Sequence, residues 1–120
     1  MLSVMASQLA DEVRNHDWSD APYRFDRAGH QRDFDSPGKR SAQVLDERET
    51  TILVANVAAV LAQVLRHNDP NLPLQEFFEA CGVSHRLTRT SSGRESGALK
   101  AALRWTEPDV PAKPGGYEAS

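Results

Sequence analysis

The run Leu45 to His67, LDERETTILVANVAAVLAQVLRH, constrains the fold more than any other part of the chain. Asp46, with Glu49 three residues on, predicts a helix start in which each side chain bonds the other's backbone N–H. Acidic groups there also suit the positive end of the helix dipole. At about 100° per residue, Leu53, Val54, Val57, Val60, Leu61, Val64 and Leu65 gather on one broad face. Ala55, Ala58, Ala59 and Ala62 fall beside it and are small enough for a second helix to approach closely. Asn56, Gln63, Arg66 and His67 make a narrow polar edge. A helix so widely apolar needs cover on two sides. The rest of the chain supplies only short helices for that. Either they surround the central one, or two chains share its face through Leu53, Val57, Val60, Leu61 and Val64, which predicts a homo-oligomer.

The covering segments are legible to different degrees. Ser3 caps a first helix to about Asn15, with Leu2, Met5, Leu9 and Val13 as its stripe. Pro73 suits the first position of a helix after the turn HNDPN, because its missing N–H costs nothing there. Leu74, Phe77, Phe78 and Cys81 then share one side, and Gly82 suits a left-handed stop, with Val83 folding back. A fourth helix is predicted over SSGRESGALKAALRW, opened by Ser92 and Glu95, with Leu99, Ala102 and Leu103 inward. Residues 16–42 show no helical period and read as an irregular segment pinned to the core by Trp18, Tyr23, Phe25 and Phe34; a short hairpin turning at DRAG is the alternative. The Pro- and Gly-rich residues 105–120 read as a flexible tail. The expected fold is therefore mostly all-α: one small domain, residues 1–104, with three or four helices bundled around a central helix at 46–67.

Charge is unevenly spread. Residues 1–83 hold 8 Lys/Arg against 13 Asp/Glu, whereas 84–104 hold Arg86, Arg89, Arg94, Lys100 and Arg104 against Glu95 alone. Those five cations are the candidate contact set for nucleic acid or an acidic partner. The single cysteine precludes an internal disulfide and suits a reducing cytoplasm. The N-terminus lacks a basic leader, and no segment approaches the roughly 20 apolar residues of a membrane span. A cytoplasmic protein without membrane contact is expected.

Chemistry is sparse. His16, His30, His67 and His85 lie at no metal-ligand spacing from one another or from Cys81, so no metal and no cofactor is predicted. Cys81, on the apolar side with Phe77 and Phe78, reads as a buried structural thiol. Glu76 and Glu79 read as solvated surface, and no glycine-rich phosphate loop is present. No catalytic residues are predicted. FFEACGVSHRLTRTSSG has the turn of a helix-turn-helix, in which Ser84 would cap a recognition helix carrying His85, Arg86 and Arg89. Phe78 stands where close crossing favours alanine, and Thr88 and Ser91 would bury little at the inward positions.

The segment from Val60 to Val83 resembles small phage- and prophage-encoded helical proteins. The matching residues are Ala62, Leu65, Asp69-Pro70-Asn71, Leu72, Phe77 or Phe78, and Ala80-Cys81-Gly82-Val83. The chain departs from that pattern by a shifted residue near Asp69 and by 37 further residues after Val83. The resemblance implies a phage accessory protein and transfers no catalytic residues. The expected function is a non-enzymatic protein-interaction module acting on a host protein or in phage assembly. A helix-turn-helix-like DNA-binding regulator using 77–94 and a virion structural component are the alternatives.

Overall fold

Four residues at the start of the longest helix set the frame. Glu49 N–H donates to Asp46 Oδ1 at 2.7 Å, and Asp46 N–H donates to Glu49 Oε1 at 3.0 Å. The reciprocal cap expected from the sequence opens α2, which runs Glu47–Asn68. The computed structural model describes residues 1–34, 38 and 41–116. About half of the chain is helical, and the fold is mostly α with one small antiparallel sheet.

Helix α1 spans Val4–Asn15 and is capped by Ser3, whose Oγ accepts from Ala6 N–H at 3.2 Å. Its buried side is Ala6, Ala10 and Val13, whereas Met5 stays 62% exposed. The inward stripe is thus displaced from the expected Leu2-Met5-Leu9-Val13 row. Alanines can come close to a neighbouring backbone where methionine cannot, so the helix turns its small residues inward. Helix α2 does the same: its buried residues are Ala58, Ala62 and Gln63. Helix α3, Leu74–Ala80, drives Phe77 and Phe78 into the space these alanines leave. It runs alongside α1 in the same direction, since the Met1 ammonium pairs with Glu76 at 3.2 Å and Arg14 lies against Gly82.

Helix α3 ends as its sequence predicts. Gly82 sits at φ +87°, and its N–H reaches Glu79 O at 3.0 Å while Val83 N–H reaches Phe78 O at 3.1 Å. An added Cβ would meet Arg14 Cγ at 3.4 Å, so both backbone and neighbour favour glycine here.

Beyond Val83 the chain departs from expectation. Ser84 caps α4, but this helix is a single turn, His85–Thr88. Ser92 and Glu95 open no helix. They lie in a tight reversal where Arg89 and Glu95 bridge and Gly93 takes φ +85°. The helical part is only α5, Ala98–Ala101. Gly93 breaks the run, Gly97 stands at the cap of α5, and Arg89 holds the reversal closed by donating to Gly93 O at 3.0 Å. Leu99 and Leu103 are nevertheless buried as expected.

The packed body continues past residue 104. Strand β1, Trp105–Glu107, pairs antiparallel with β2, Val110–Pro111, around Asp109 at φ 64°. Ala112 is buried. The expected flexible tail is therefore a docked hairpin over 105–111, and residues 117–120 lie outside the described residues. What holds the hairpin is Gln63, assigned by periodicity to the polar edge of α2. Its Nε2 donates to Arg104 O at 3.1 Å and Ala112 O at 3.0 Å, and its Oε1 accepts from Arg104 N–H at 2.7 Å.

Part of the expected irregular segment, 35–37 with 39 and 40, lies outside the described residues. In the rest, Phe25 is 102% and Phe34 88% exposed, so they pin nothing; only Trp18 packs against the core. Trp18 Nε1 donates to Val13 O at 2.8 Å. Polar groups close the loop instead. Asp20 is fully buried, His30 lies between Asp20 (3.1 Å) and Asp26 (2.9 Å), and Arg24 also bonds Asp26. Asp17 Oδ2 accepts from Arg32 N–H at 3.1 Å, and Leu45 N–H donates to Ser19 O at 2.6 Å.

Candidate functional site

The turns that bury Ala58 and Ala62 leave the opposite side of α2 in water. Ile52, Val60 and Val64 are 43, 68 and 45% exposed. With Glu49, Asn56 and His67, also exposed, they recur at intervals of three, four, four, four and three residues. Such spacing places them in one stripe along the helix. Leu53, Val57 and Leu61 are partly covered beside it. Val57 and Leu61 lead into a cleft of about 410 Å³ walled by Leu9, Val13, His16 and Trp18, with Glu12 and Asp26 at its polar side. All five residues predicted to form a helix interface thus remain at least partly accessible, and four of them, Leu53, Val57, Val60 and Val64, border one another on consecutive turns.

Both ends of α2 are charged: Asp46, Glu47, Arg48 and Glu49 stand at its start, and Arg66, His67 and the C-cap Asp69 at its end. At the acidic end an open hollow of about 530 Å³ lies between Asp46, Glu47, Arg48 and Ile52 on one side and Ser84, Arg86 and Leu87 on the other. By length and composition α2 is also apolar enough to cross a bilayer. This corrects the expectation that no segment approaches a span, and core helices of water-soluble folds meet the same test.

The five predicted cations do not form one surface of free charge. Arg86 borders the hollow beside Ile52. Arg89 grips Glu79 with two bonds, Nε to Oε1 at 2.8 Å and Nη2 to Oε2 at 3.2 Å. Lys100 pairs with Asp109 at 2.6 Å and lies 5.7 Å from the Trp105 ring centroid. Arg104 donates weakly to Lys113 O at 3.5 Å, and Arg94 is exposed in the 90–95 reversal. A recognition helix of one turn presents too few positions to follow a DNA groove. Glu79, read from the sequence as solvated surface, is a partner of α4 instead.

Arg89's bonds, with Gln75's, hold the Glu79 carboxyl below the usual glutamate range. A lowered carboxyl stabilises the fold above its unfolded pKa and loses that contribution as pH falls through the folded value. Arg89→Gln should therefore lower the melting temperature at pH 7, and the gap to the unmodified protein should close below about pH 4. Thermal melts at pH 7 and pH 3 check this; an equal gap at both would remove the pair from the account.

Cys81 is fully buried, as expected, and burial pushes its thiol up to about 12. The thiolate is the reactive form. At pH 8 a disulfide-exchange reagent should leave native Cys81 essentially unlabelled over minutes and label it within seconds in guanidinium. Fast labelling of the native protein would show the thiol accessible.

His30 superficially offers a His–carboxylate pair of the kind that orients a catalytic base. Both its ring nitrogens face carboxylates and its side chain is only 3% exposed, so neither is directed at a nucleophile. His16 is held below the ordinary histidine range by burial and by neighbouring His30, and its Nδ1 accepts from Gly29 N–H at 3.1 Å. Among the described residues no three His, Cys, Asp or Glu side chains converge on a point where a metal ion would sit. Two elements had no sequence signal that periodicity reads: the Gln63 clamp and the Asp20–His30–Asp26 network. Both are polar groups paired across distant segments. No family model, no curated protein and no solved structure matches this chain.

Proposed function

We propose that this chain is a non-enzymatic protein-interaction module in which α1, α2 and α3 act as a small bundle that presents the outward stripe of α2. The single observation that carries the reading is that the most apolar helix keeps Ile52, Val60 and Val64 in water. Isolated exposed hydrophobes are ordinary, but a row of them on one helix with charged ends is the form of a helix-docking surface. The resemblance of residues 60–83 to phage and prophage accessory proteins supports a cytoplasmic partner in the host or in particle assembly. The DNA-binding alternative is weakened by Arg89 and Lys100 being spent on Glu79 and Asp109.

The test is affinity capture from host and infected cells with the unmodified chain and with Val60→Glu/Val64→Glu. A protein retained by the first and lost by the second supports the reading. Identical captures from both, or nucleic acid alone, would sink it. Recovery of the chain in purified particles would favour a virion role through the same face.

A further inference from the structure

What ties residues 104–112 to the helices is mostly polar. Strand β1 has three residues and β2 two, with an irregular register between Trp105 and Glu107. A two-stranded hairpin of that length is marginal by itself in water. Its turn residue Asp109 stands at φ 64°, a left-handed position that disfavours side chains. From 104 to 112 only Ala112 is buried, and Trp105 and Pro111 are partly covered. Apart from the three Gln63 bonds, the segment is held by Trp105 Nε1 donating to Lys100 O at 2.8 Å and by the exposed Lys100–Asp109 pair. The Trp105 ring also lies 5.6 Å from the Arg66 guanidinium. The helices are joined differently: Phe77, Phe78 and the buried alanines of α1 and α2 share one apolar core, which ends at Leu103. Separating the helices would expose that core, whereas lifting the hairpin frees mainly polar groups that water satisfies. Segments with few buried apolar contacts open at lower free energy than the whole molecule.

We infer that residues 104–112 form a strap that opens as a unit in the native protein while α1, α2 and α3 stay packed, and that Gln63 is its latch. One side chain suffices because its carboxamide meets both feet of the hairpin, Arg104 and Ala112. The two feet also bond each other, Ala112 N–H to Arg104 O at 2.9 Å, so releasing Gln63 frees them together. Buried Leu103 keeps the near end anchored. Opening uncovers the Gln63 carboxamide on the flank of α2, one residue from exposed Val64. The strap therefore gates a set of hydrogen-bonding groups that the closed form conceals. The inference holds whether or not the stripe of α2 docks a protein.

Native-state amide hydrogen exchange on the full chain tests it, with the Arg104 and Ala112 N–H groups read against those of Ala62 and Cys81. In the unmodified protein the first two should be protected, but about 100-fold or more less than the second two. Their exchange should hardly respond to low guanidinium concentrations, because the opening exposes little surface. Gln63→Asn draws the carboxamide one methylene back from the hairpin. There the Ala112 N–H should lose about 10-fold or more in protection, although its own acceptor, Arg104 O, is untouched, and Cys81 should stay about 100-fold better protected. Equal protection and equal denaturant dependence for all four amides overturn the strap, because the hairpin would then open only with the whole molecule. Exchange of Arg104 and Ala112 at free-peptide rates in the unmodified protein overturns it as well. Loss at Arg104 alone in Gln63→Asn removes the latch. Should that variant not fold, the comparison within the unmodified protein still decides whether the strap opens by itself.

Discussion

Phe77→Ala is expected to cost about 3–5 kcal/mol of folding stability, a large share of the roughly 5–15 kcal/mol that holds a domain folded. Phe77 is fully buried and meets Phe78 edge to face, centroids 6.3 Å apart at 88°. The buried core they join includes Ala6, Ala10, Ala58 and Ala62 from α1 and α2. Alanines on rigid helices cannot swing in to fill a vacated ring. The site therefore collapses little, and the cavity penalty stays near its upper range. Phe77→Leu should cost much less, about 1–2 kcal/mol, since it keeps most of the volume. Urea denaturation followed by circular dichroism measures both. A loss below about 1 kcal/mol for Phe77→Ala would mean that this ring is not the centre of the core.

The second large effect belongs to Gln63→Leu. Leucine keeps the bulk but removes one acceptor and two donated bonds, so Arg104 N–H and Ala112 O lose their side-chain partner. Arg104 O keeps one bond, from Ala112 N–H at 2.9 Å. Each orphaned buried group costs about 1–3 kcal/mol. The cheaper response is for the hairpin to lift into water, giving up the packing of Trp105 and Ala112. The expected result is loss of amide protection across 104–112 with α1, α2 and α3 still protected. Gln63→Glu should behave alike, because a carboxylate cannot donate to two carbonyls. Unchanged exchange at Arg104 in both variants would show that the hairpin is held by something else.

How far the sequence reveals this fold depends on the distance between partners. The start of α2 needs only Asp46 and Glu49, three residues apart, and it forms as written. The stop at Gly82 needs only glycine's tolerance of positive φ. The Gln63 clamp is invisible by the same logic, because its partners lie 41 and 49 residues away and are backbone groups without sequence identity. In the loop after α1, aromatic residues suggest anchoring, yet Phe25 and Phe34 face water while Asp20 and His30 are inside. Periodicity weighs hydrophobicity and has no term for a charge network that closes on itself. The candidate site was half legible. That α2 is too apolar to be covered follows from its residues. Which sector stays bare follows from where α1 and α3 settle, and that is decided by the alanines.

The Gln63 clamp also imposes a timetable on synthesis. Residue 112 leaves the peptidyl-transferase centre 49 residues after Gln63, a delay of roughly 2–10 s at about 5–20 residues per second. Until then the carboxamide has no carbonyls to meet, and water must solvate it. The flank of α2 that receives the hairpin cannot close before residue 112 has been added, and for those seconds the nascent helix holds two open faces, a natural recruiting ground for chaperones.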